Sequence, residues 1–438
     1  MPNALKYESY KNSDSEWLGE IPTSWSMVLL SQVVSQARNK NSDLSEKNLL
    51  SLSYGQIKRK PIDTSGGLLP TSFDGYNIIE ANDIVLRLTD LQNDHTSLRV
   101  GLSPERGIIT SAYTTMRPKN SKRAKYLYYL LQTFDIRKGF YGMGSGVRQG
   151  LNYDEVKRLK LPLPTEEEQE AIVAFLEEKI AHIDSVIAEA KASIEEYKAW
   201  KASIIYEAVT KGLDPNAEMK DSGVEWIGDM PFQWELVPFR YVLSERNEKN
   251  NPVVSTERLS LSIDLGVTLY ADKTTNLDRL KEDFSQYKIA HEGDLVMNSM
   301  NMIVGASGVS SWFGCVSPAY YTFYDTETDH VTAEFCEYIF RNKAMLRVLH
   351  SLGKGIYSID RGDDRVNTCR LKVSKDELKS LLIPIPPIEE QRKIVQYLTD
   401  KCNAISALIF EKEALIADLD AYKKSLIFEV VTGKRKVV

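Results

Sequence analysis

Apolar residues recur at alternating steps of four and three along two long stretches of the chain, a spacing typical of a coiled-coil seam. In the first stretch the seam residues are Leu176, Ile180, Ile183, Ile187, Ile194 and Tyr197. In the second stretch they are Leu398, Cys402, Ile405, Ile409, Ile416 and Leu419. Because a regular seam needs a partner, the pattern predicts two long helices that pack on each other. Packing of each helix on the core of its own domain is the alternative.

The two stretches are copies of one another, since adding 222 to Ile172 gives Ile394. Each copy opens with a proline-flanked segment, at 161–164 and at 383–387, followed by Glu-Gln. Proline ends a strand and sets φ for the start of a helix, so each copy reads as extended chain entering a helix. Near the helix ends the apolar stripe moves to Trp200 and Tyr422, which predicts a local change of winding there.

The repeat extends into the segments that precede the helices. Trp17 and Trp25 match Trp226 and Trp234 at an offset of 209. Each copy contains short β-favouring runs and one helix, near 122–133 and 333–349, which predicts a mixed α+β domain. The predicted division is a first domain at 1–164, a first long helix at 165–213, a second domain at 214–386, and a second long helix with the C-terminal tail at 387–438.

Charge is distributed unevenly over these segments. The whole chain has a net charge of −6, which by itself disfavours nucleic acid. Residues 1–164, however, carry 22 basic and 16 acidic side chains, whereas residues 214–386 carry 19 and 26. The first domain therefore suits a polyanion, and any such site in the second domain must be a local patch.

Chemistry-bearing motifs are scarce. The four cysteines lack CxxC spacing and the five histidines lack metal-ligand spacing, so no metal is predicted. The glycine-rich loop at 142–146 precedes a strand and is a poor nucleotide fingerprint, so no cofactor is predicted in this chain. No run of 18 apolar residues and no signal peptide is found, and the expected location is the cytoplasm.

Basic, amide and aromatic side chains lie on predicted loops at equivalent places in the two copies. Those of the first copy are Lys58, Arg59, Lys60, Arg87, Tyr141, Ser145, Arg148 and Gln149. Those of the second copy are Asn298, Asn301, Lys354, Tyr357, Arg361 and Arg365. Arginine and amide side chains read base edges, lysine neutralises phosphate, and tyrosine stacks or wedges. These clusters predict contacts with double-stranded DNA; for each single residue an ordinary exposed surface position is the alternative.

The duplicated proline-flanked helix starts, the helix ends at 203–210 and 425–433, and the motif at 314–320 resemble the specificity (S) subunit of type I restriction-modification systems. The likeness covers essentially the whole chain, although residues 107–113 lack the proline of that motif. The resemblance implies two target recognition domains joined by two antiparallel helices. It also implies two methyltransferase (modification) subunits as partners, restriction/translocase subunits in the full complex, and S-adenosylmethionine bound by the methyltransferase.

The expected function is therefore that of a non-catalytic subunit that reads an asymmetric, bipartite DNA target with a non-specific spacer. It would direct its partners to N6-adenine methylation and to DNA cleavage. The base-reading residues of this family differ among members, so none is carried over to this chain. A pseudo-symmetric coiled-coil adaptor without DNA specificity is the alternative from another class, and an enzyme with an unrecognised site is a third.

Overall fold

The computed structural model describes residues 5–62, 70, 72–91, 98–143, 150–263, 265–273, 283–326, 331–356 and 370–437. The chain divides into two compact units. The first comprises residues 1–191 and 413–438, and the second comprises residues 192–412. Each unit therefore contains one globular part and a portion of both long helices.

The elements up to the end of the first long helix are β1 (Tyr10–Asn12), β2 (Glu20–Pro22), β3 (Ser26–Leu29), α1 (Leu30–Val33), β4 (Val34–Gln36), β5 (Asn39–Lys40), β6 (Leu50–Ser53), β7 (Gln56–Arg59), β8 (Asn77–Ile79), β9 (Ile84–Leu86), β10 (Val100–Leu102), β11 (Gly107–Ile109), β12 (Thr114–Pro118), α2 (Ala124–Ile136), α3 (Tyr153–Val156), β13 (Lys160–Leu163) and α4 (Glu166–Lys211).

The elements that follow are β14 (Met219–Asp221), β15 (Asp229–Pro231), β16 (Glu235–Pro238), β17 (Ser244–Glu245), β18 (Leu259–Ser262), β19 (Gly266–Leu269), α5 (Tyr270–Lys273), β20 (Lys288–Ala290), β21 (Leu295–Asn298), β22 (Ser307–Val309), β23 (Gly314–Val316), β24 (Tyr320–Tyr324), α6 (Val331–Arg341), α7 (Lys343–Leu352), β25 (Lys354–Ile356), β26 (Arg370–Lys372), α8 (Lys375–Ser380), β27 (Leu382–Ile385) and α9 (Ile388–Val431).

The two globular parts share one strand topology. In the first unit a four-stranded sheet has the order β10-β9-β12-β4, and β6 pairs with β7, β8 with β11, and β3 with β13. In the second unit the corresponding sheet has the order β22-β21-β24-β17, and β18 pairs with β19, β20 with β23, and β16 with β27. All of these pairs are antiparallel. The predicted α+β class and internal duplication are confirmed.

One helix of the second unit differs from the prediction. A single helix was expected near 333–349, but α6 ends at Arg341 and α7 begins at Lys343. The break follows from Asn342, whose extended backbone and side chain cap the second helix by accepting a hydrogen bond from the Met345 amide at 2.9 Å. Asparagine is a preferred residue at this position because its side chain satisfies an otherwise unpaired helix donor.

In the first unit the long helices join the globular core. Leu176 of α4 and Leu426 of α9 are buried in one apolar cluster with Trp25. In the second unit Ile204 of α4 and Leu398 of α9 are buried in one cluster with further side chains of that globular part. Within each unit the helices therefore pack on each other, as predicted, and also on the domain core, which was the alternative.

Paired contacts give the relative direction of the helices within each unit. In the first unit Lys423 Nζ lies 2.6 Å from Asp184 Oδ1, and the Arg435 guanidinium lies 5.6 Å from the ring centre of Phe175. Moving back along α4 from Asp184 to Phe175 thus corresponds to moving forward in the chain from Lys423 in α9 to Arg435 just after its end. The two helix segments of this unit are antiparallel.

The predicted seam is found inside the protein. Seven of its residues are buried, namely Leu176, Ile183, Ile187, Ile194, Leu398, Cys402 and Ile405. The others are half-buried, namely Ile180, Tyr197, Ile409, Ile416 and Leu419. The predicted shift of the stripe is wrong, because Trp200 and Tyr422 are exposed. The seam positions are kept instead by Lys201, which donates to Ser406 Oγ at 2.9 Å, and by Lys423.

The two helix starts use the same buried glutamine contact. Gln169 Nε2 donates to the carbonyl of Pro164 at 2.8 Å, and Gln391 Nε2 donates to the carbonyl of Pro386 at 2.9 Å. Each side chain therefore ties the first turn of its helix to the strand that precedes it. This contact explains why glutamine occurs in the Glu-Gln pair of both copies.

Candidate nucleic-acid interface

A buried arginine organises the connection that follows β9 in the first unit. The guanidinium of Arg99 donates to the carbonyl oxygens of Arg87 at 3.1 Å, Thr89 at 2.8 Å and Asp90 at 3.2 Å. The backbone amide of Arg87 donates in turn to the Arg99 carbonyl at 2.9 Å. Because the planar guanidinium fixes several donors in one fork, it holds the backbone at 87–90 in a single shape.

Tyr141 is joined to the same guanidinium. Arg99 Nε donates to the Tyr141 hydroxyl at 3.3 Å, and Arg99 Cζ lies 5.1 Å from the centre of the ring. Lys138 Nζ lies 4.6 Å from the ring centre as well. Cations at these distances are attracted by the ring's π electrons, so Tyr141 is held in place beside Arg87.

Two residues with left-handed backbone conformations lie in the segments that contact this arginine. Asp90 and Lys138 both adopt left-handed conformations, with φ of 57° and 65°. Non-glycine residues adopt such angles only when their surroundings determine the conformation, and they are enriched at functional sites. The strain and the buried guanidinium mark this end of the first unit as its candidate interface.

Sequence reasoning missed Arg99 and its carboxylate partner. The backbone amide of Arg99 donates to Asp135 Oδ2 at 2.6 Å, and both residues are buried. Arg99 stands between Leu98 and Val100, and Asp135 between Phe134 and Ile136, so their apolar neighbours gave no indication of their role. The available signal was a charged residue directly before the apolar strand β10, at a place where burial demands several hydrogen bonds.

The predicted cluster Lys58, Arg59 and Lys60 lies elsewhere on the first unit. Arg59 Nε donates to Glu105 Oε1 at 2.6 Å, and this pairing lowers the pKa of the Glu105 carboxyl. Glu105 follows the end of β10, whereas Arg99 precedes its start. Arg59 therefore pairs with the chain beyond the end of β10, whereas Arg87 and Tyr141 contact Arg99 before its start. Lys58 and Lys60 are exposed.

In the second unit the connection after β21 is shaped by an asparagine. The Asn298 side chain is buried and its Oδ1 accepts a hydrogen bond from the Met300 amide at 3.1 Å. The carbonyl of Asn301 accepts hydrogen bonds from the amides of Val304 and Ala306, both at 3.1 Å, and Asn301 itself is exposed. Of the two predicted asparagines, Asn301 is thus the one that presents its surface to solvent.

The two units place these connections equivalently. The Arg87 amide donates to the Arg99 carbonyl at 2.9 Å, and the Asn298 amide donates to the Ala306 carbonyl at 3.0 Å. The next residue in each connection accepts a hydrogen bond from the chain that leads into α3 or α8, namely Leu88 from Leu151 at 2.8 Å and Ser299 from Val373 at 3.1 Å. In each unit the connection after β9 or β21 therefore meets the connection that leads into α3 or α8, and the side chains on these connections differ between the units.

Lys354 lies at the second of these connections, where β25 begins. Its Nζ is 2.6 Å from Glu377 Oε1. The hydrogen bonds that Lys354 and Ser374 donate to the Glu377 carboxylate lower the pKa of Glu377 to about 2. Six predicted residues lie outside the described residues, namely Ser145, Arg148, Gln149, Tyr357, Arg361 and Arg365. A role in DNA binding stays a prediction for every residue of the set.

Among the residues that the structure describes, no group of His, Cys, Asp and Glu side chains is arranged to hold a metal ion. Among them, too, no helix combines the length and apolar character that crossing a membrane requires.

Comparison with protein families identifies this arrangement. Residues 23–196 and 321–416 match the family described as the type I restriction modification DNA specificity domain. The two matches together span more than half of the chain. The chain belongs to this family. The resemblance seen in the sequence is confirmed, and the coarse function of the protein is DNA recognition within a type I restriction-modification system.

Two specificity subunits of Methanocaldococcus jannaschii are similar in sequence. One, provisionally named the type I restriction enzyme MjaX specificity subunit, is 22% identical over 99% of this chain and 98% of its own length. The other, the type I restriction enzyme MjaVIII specificity subunit, is 23% identical over 82% of this chain and 80% of its own length. Since both alignments span most of each protein, the similarity concerns the whole duplicated architecture.

A solved structure shares the fold of this specificity-family chain. It comes from work on complex assembly and conformational transition of the type I restriction-modification system. The two chains are 16% identical, with 94% of this chain and 98% of that chain aligned at a TM-score of 0.64. At this identity the match supports the fold alone.

Proposed function

We propose that this chain is a non-catalytic specificity subunit that reads an asymmetric, bipartite double-stranded DNA target with a non-specific spacer. One half-site is read by the first unit and the other by the second. Partner methyltransferase subunits bind S-adenosylmethionine and methylate adenine at N6 in each half-site. Restriction subunits of the full complex cleave DNA that lacks this mark.

The main support for the proposal is that equivalent connections in the two units carry different side chains. In the first unit Arg87 and Tyr141 lie at the shared position, whereas in the second unit Asn301 and Lys354 lie there. Arginine favours guanine and asparagine favours adenine at base edges in the major groove. One topology with different side chains supports two half-sites of different sequence.

Methylation is assigned to partner subunits by family membership, and the chemistry of the target base supports it. Enzymes that modify a base inside a duplex must flip that base into a pocket of their own. A subunit that supplies sequence recognition through loops, as this one does in each unit, leaves that pocket to its partner. The expected partners are two methyltransferase subunits, joined by restriction/translocase subunits for cleavage.

Methylome sequencing tests the proposal directly. A host that lacks other methyltransferases would express this chain with the methyltransferase subunit of its own system, and genomic N6-methyladenine would be mapped by long-read sequencing. The expected result is one split motif with two unlike halves and a fixed gap. The methyltransferase subunit without this chain is the control and should leave no motif. A continuous motif, or methylation independent of this chain, would reject the proposal, and the latter would favour the adaptor alternative.

A further inference from the structure

The hairpin formed by β6 and β7 ends in an unusual turn. Ser53 and Gln56 form the last pair of the hairpin, so Tyr54 and Gly55 alone make the turn. Their φ angles are 46° and 77°. A two-residue turn with both φ values positive is of type I′, in which the favoured sequence is Asn-Gly. Gly55 suits this turn, whereas a bulky tyrosine at its first position is strained.

The Tyr54 side chain is mostly outside the packed interior of the fold. Tyr54 is 75% exposed. Its hydroxyl makes no hydrogen bond with any residue that the structure describes. Strained residues that contribute little to the packing of the fold are often found at binding sites, so Tyr54 is a candidate for a binding function.

The turn lies next to the candidate interface of the first unit. A Cβ placed on Gly55 would stand 3.1 Å from the Leu98 Cβ, so the turn packs directly on Leu98. Leu98 immediately precedes Arg99, whose guanidinium shapes the connection at 87–90. The turn that carries Tyr54 therefore lies beside the chain that leads into Arg99.

The corresponding hairpin of the second unit also exposes apolar side chains. Leu265, in the turn between β18 and β19, is 76% exposed, and Ile263 is exposed as well. Gly266 of this hairpin packs on Gly308 of β22, just as the first hairpin packs on the chain at β10. An apolar tip at the same place in both units argues for a shared role.

We propose that the tip of the β6–β7 hairpin is a wedge whose Tyr54 ring stacks on bases of the first half-site, an inference that rests on the proposed function. Ile263 and Leu265 lie in the corresponding turn for the second half-site. Aromatic stacking contributes affinity without reading base edges, because every base has a π face. Apolar side chains inserted at a base step also open that step, which favours deformable sequences.

The variant Tyr54→Asn separates this role from stability, because asparagine is the residue that the turn favours. The complex with its methyltransferase subunits would be titrated with a duplex that carries the mapped target. The melting temperature is expected to rise by about 2 °C, while affinity falls about tenfold. Tyr54→Phe keeps the ring and should bind like the wild type. A 2-aminopurine probe in the first half-site should change its fluorescence with the wild type and Tyr54→Phe only.

Leu44→Asn provides a matched control. Leu44 is 48% exposed and has a φ of 54°, so it is strained in the same way. It lies in the turn closed by its amide on the Asn41 carbonyl, and the Asn41 side chain pairs with the backbone of Glu46 rather than with the chain around Arg99. This variant should also be more stable than the wild type, but its affinity for the target should not change.

Three outcomes would overturn the wedge. Full binding by Tyr54→Asn, beside a wild type that binds its target specifically, would reject the wedge and leave the proposed function intact. Loss of methyltransferase assembly in Tyr54→Asn would show that the tip contacts protein. A wild-type complex without sequence preference would reject the proposed function, and the wedge with it.

Discussion

Arg117 binds the buried carboxylate of Asp83 through two hydrogen bonds, from Nε to Oδ1 at 2.8 Å and from Nη2 to Oδ2 at 2.7 Å. In the second unit Asp294 is bound in the same manner by Arg246, at 2.7 Å and 3.1 Å. Arg117 belongs to β12, whereas Arg246 directly follows β17. The duplicated domains therefore share the carboxylate but take its cation from different strands, since a buried charge needs a partner from whichever strand offers one.

Removing either arginine should destabilise the protein, and to different extents. Arg117→Ala is expected to lower the free energy of unfolding by about 2 kcal/mol, because the carboxylate loses two charged hydrogen bonds. Arg246→Ala should lower it more, since the Arg246 side chain is 22% exposed and that of Arg117 is 46% exposed. Water can therefore replace the lost partner less well in the second unit. Chemical denaturation of both variants gives the comparison, and the reverse order would contradict this account.

Arg99→Lys should weaken reading of the first half-site. Lysine keeps the charge but cannot reach three carbonyls and the Tyr141 hydroxyl together, because it lacks the planar fork. We expect affinity for the target to fall about tenfold, since one good base contact contributes roughly 1–3 kcal/mol. Binding would be measured against duplexes altered in one half-site at a time. The variant should tolerate changes in the first half-site but not in the second.

Arg106→Lys is the control for this prediction. Arg106 is exposed, and its guanidinium donates to Glu46 Oε2 at 2.9 Å and to Glu80 Oε1 at 2.5 Å. The discrimination between duplexes should be unchanged in this variant. Equal loss of affinity for all duplexes in Arg99→Lys would instead assign Arg99 to general stability, and thermal unfolding of the same sample would show it.

Lys58 and Lys60 are expected to contact phosphate rather than bases. Both are exposed on or next to β7, on either side of Arg59, which pairs with Glu105 beyond the end of β10. Replacing either by alanine should weaken binding equally for every DNA sequence and reduce the slope of log affinity against log salt by about 1. Titrations at several salt concentrations give the slope. An altered preference among sequences, with an unchanged slope, would count against this assignment.

The helices were the part of the fold that the sequence predicted best. Apolar residues at a fixed spacing are a local signal. Leu176 and Leu398 could therefore be assigned to the seam without any tertiary information. Lys201 and Lys423 show where local reasoning failed. Their stems occupy seam positions while their Nζ atoms reach Ser406 and Asp184, and that depends on the partner helix.

The interface was predicted less well because its organising residues are buried. Loop composition indicated Arg87 and Tyr141, but the guanidinium that holds them belongs to Arg99, which lies beside an apolar strand. Asn298 shows the opposite case, as an amide chosen for base reading that is buried in its own turn. Whether a polar side chain faces DNA or its own backbone depends on contacts that are distant in sequence.

The long helices should set the spacer of the target, since each is a single element of 46 or 44 residues. Adding seven residues after Lys191 and seven after Lys412 lengthens each helix by about 10 Å. It turns the helix by only about 20° relative to its seam, so packing is retained. At about 3.4 Å per base pair, the gap in the methylated motif should grow by about three base pairs.

A five-residue insertion at the same two places provides the control for the helix length. Five residues turn each helix by about 140° more than a full turn, at 3.6 residues per turn, so the seam residues no longer face their partners. This variant should lose methylation, although the change in length is smaller than that of the heptad. Together the two variants test whether the helices set the length of the gap or only connect the two units. A heptad variant that methylates the original motif with its original gap would show that the spacer is set elsewhere.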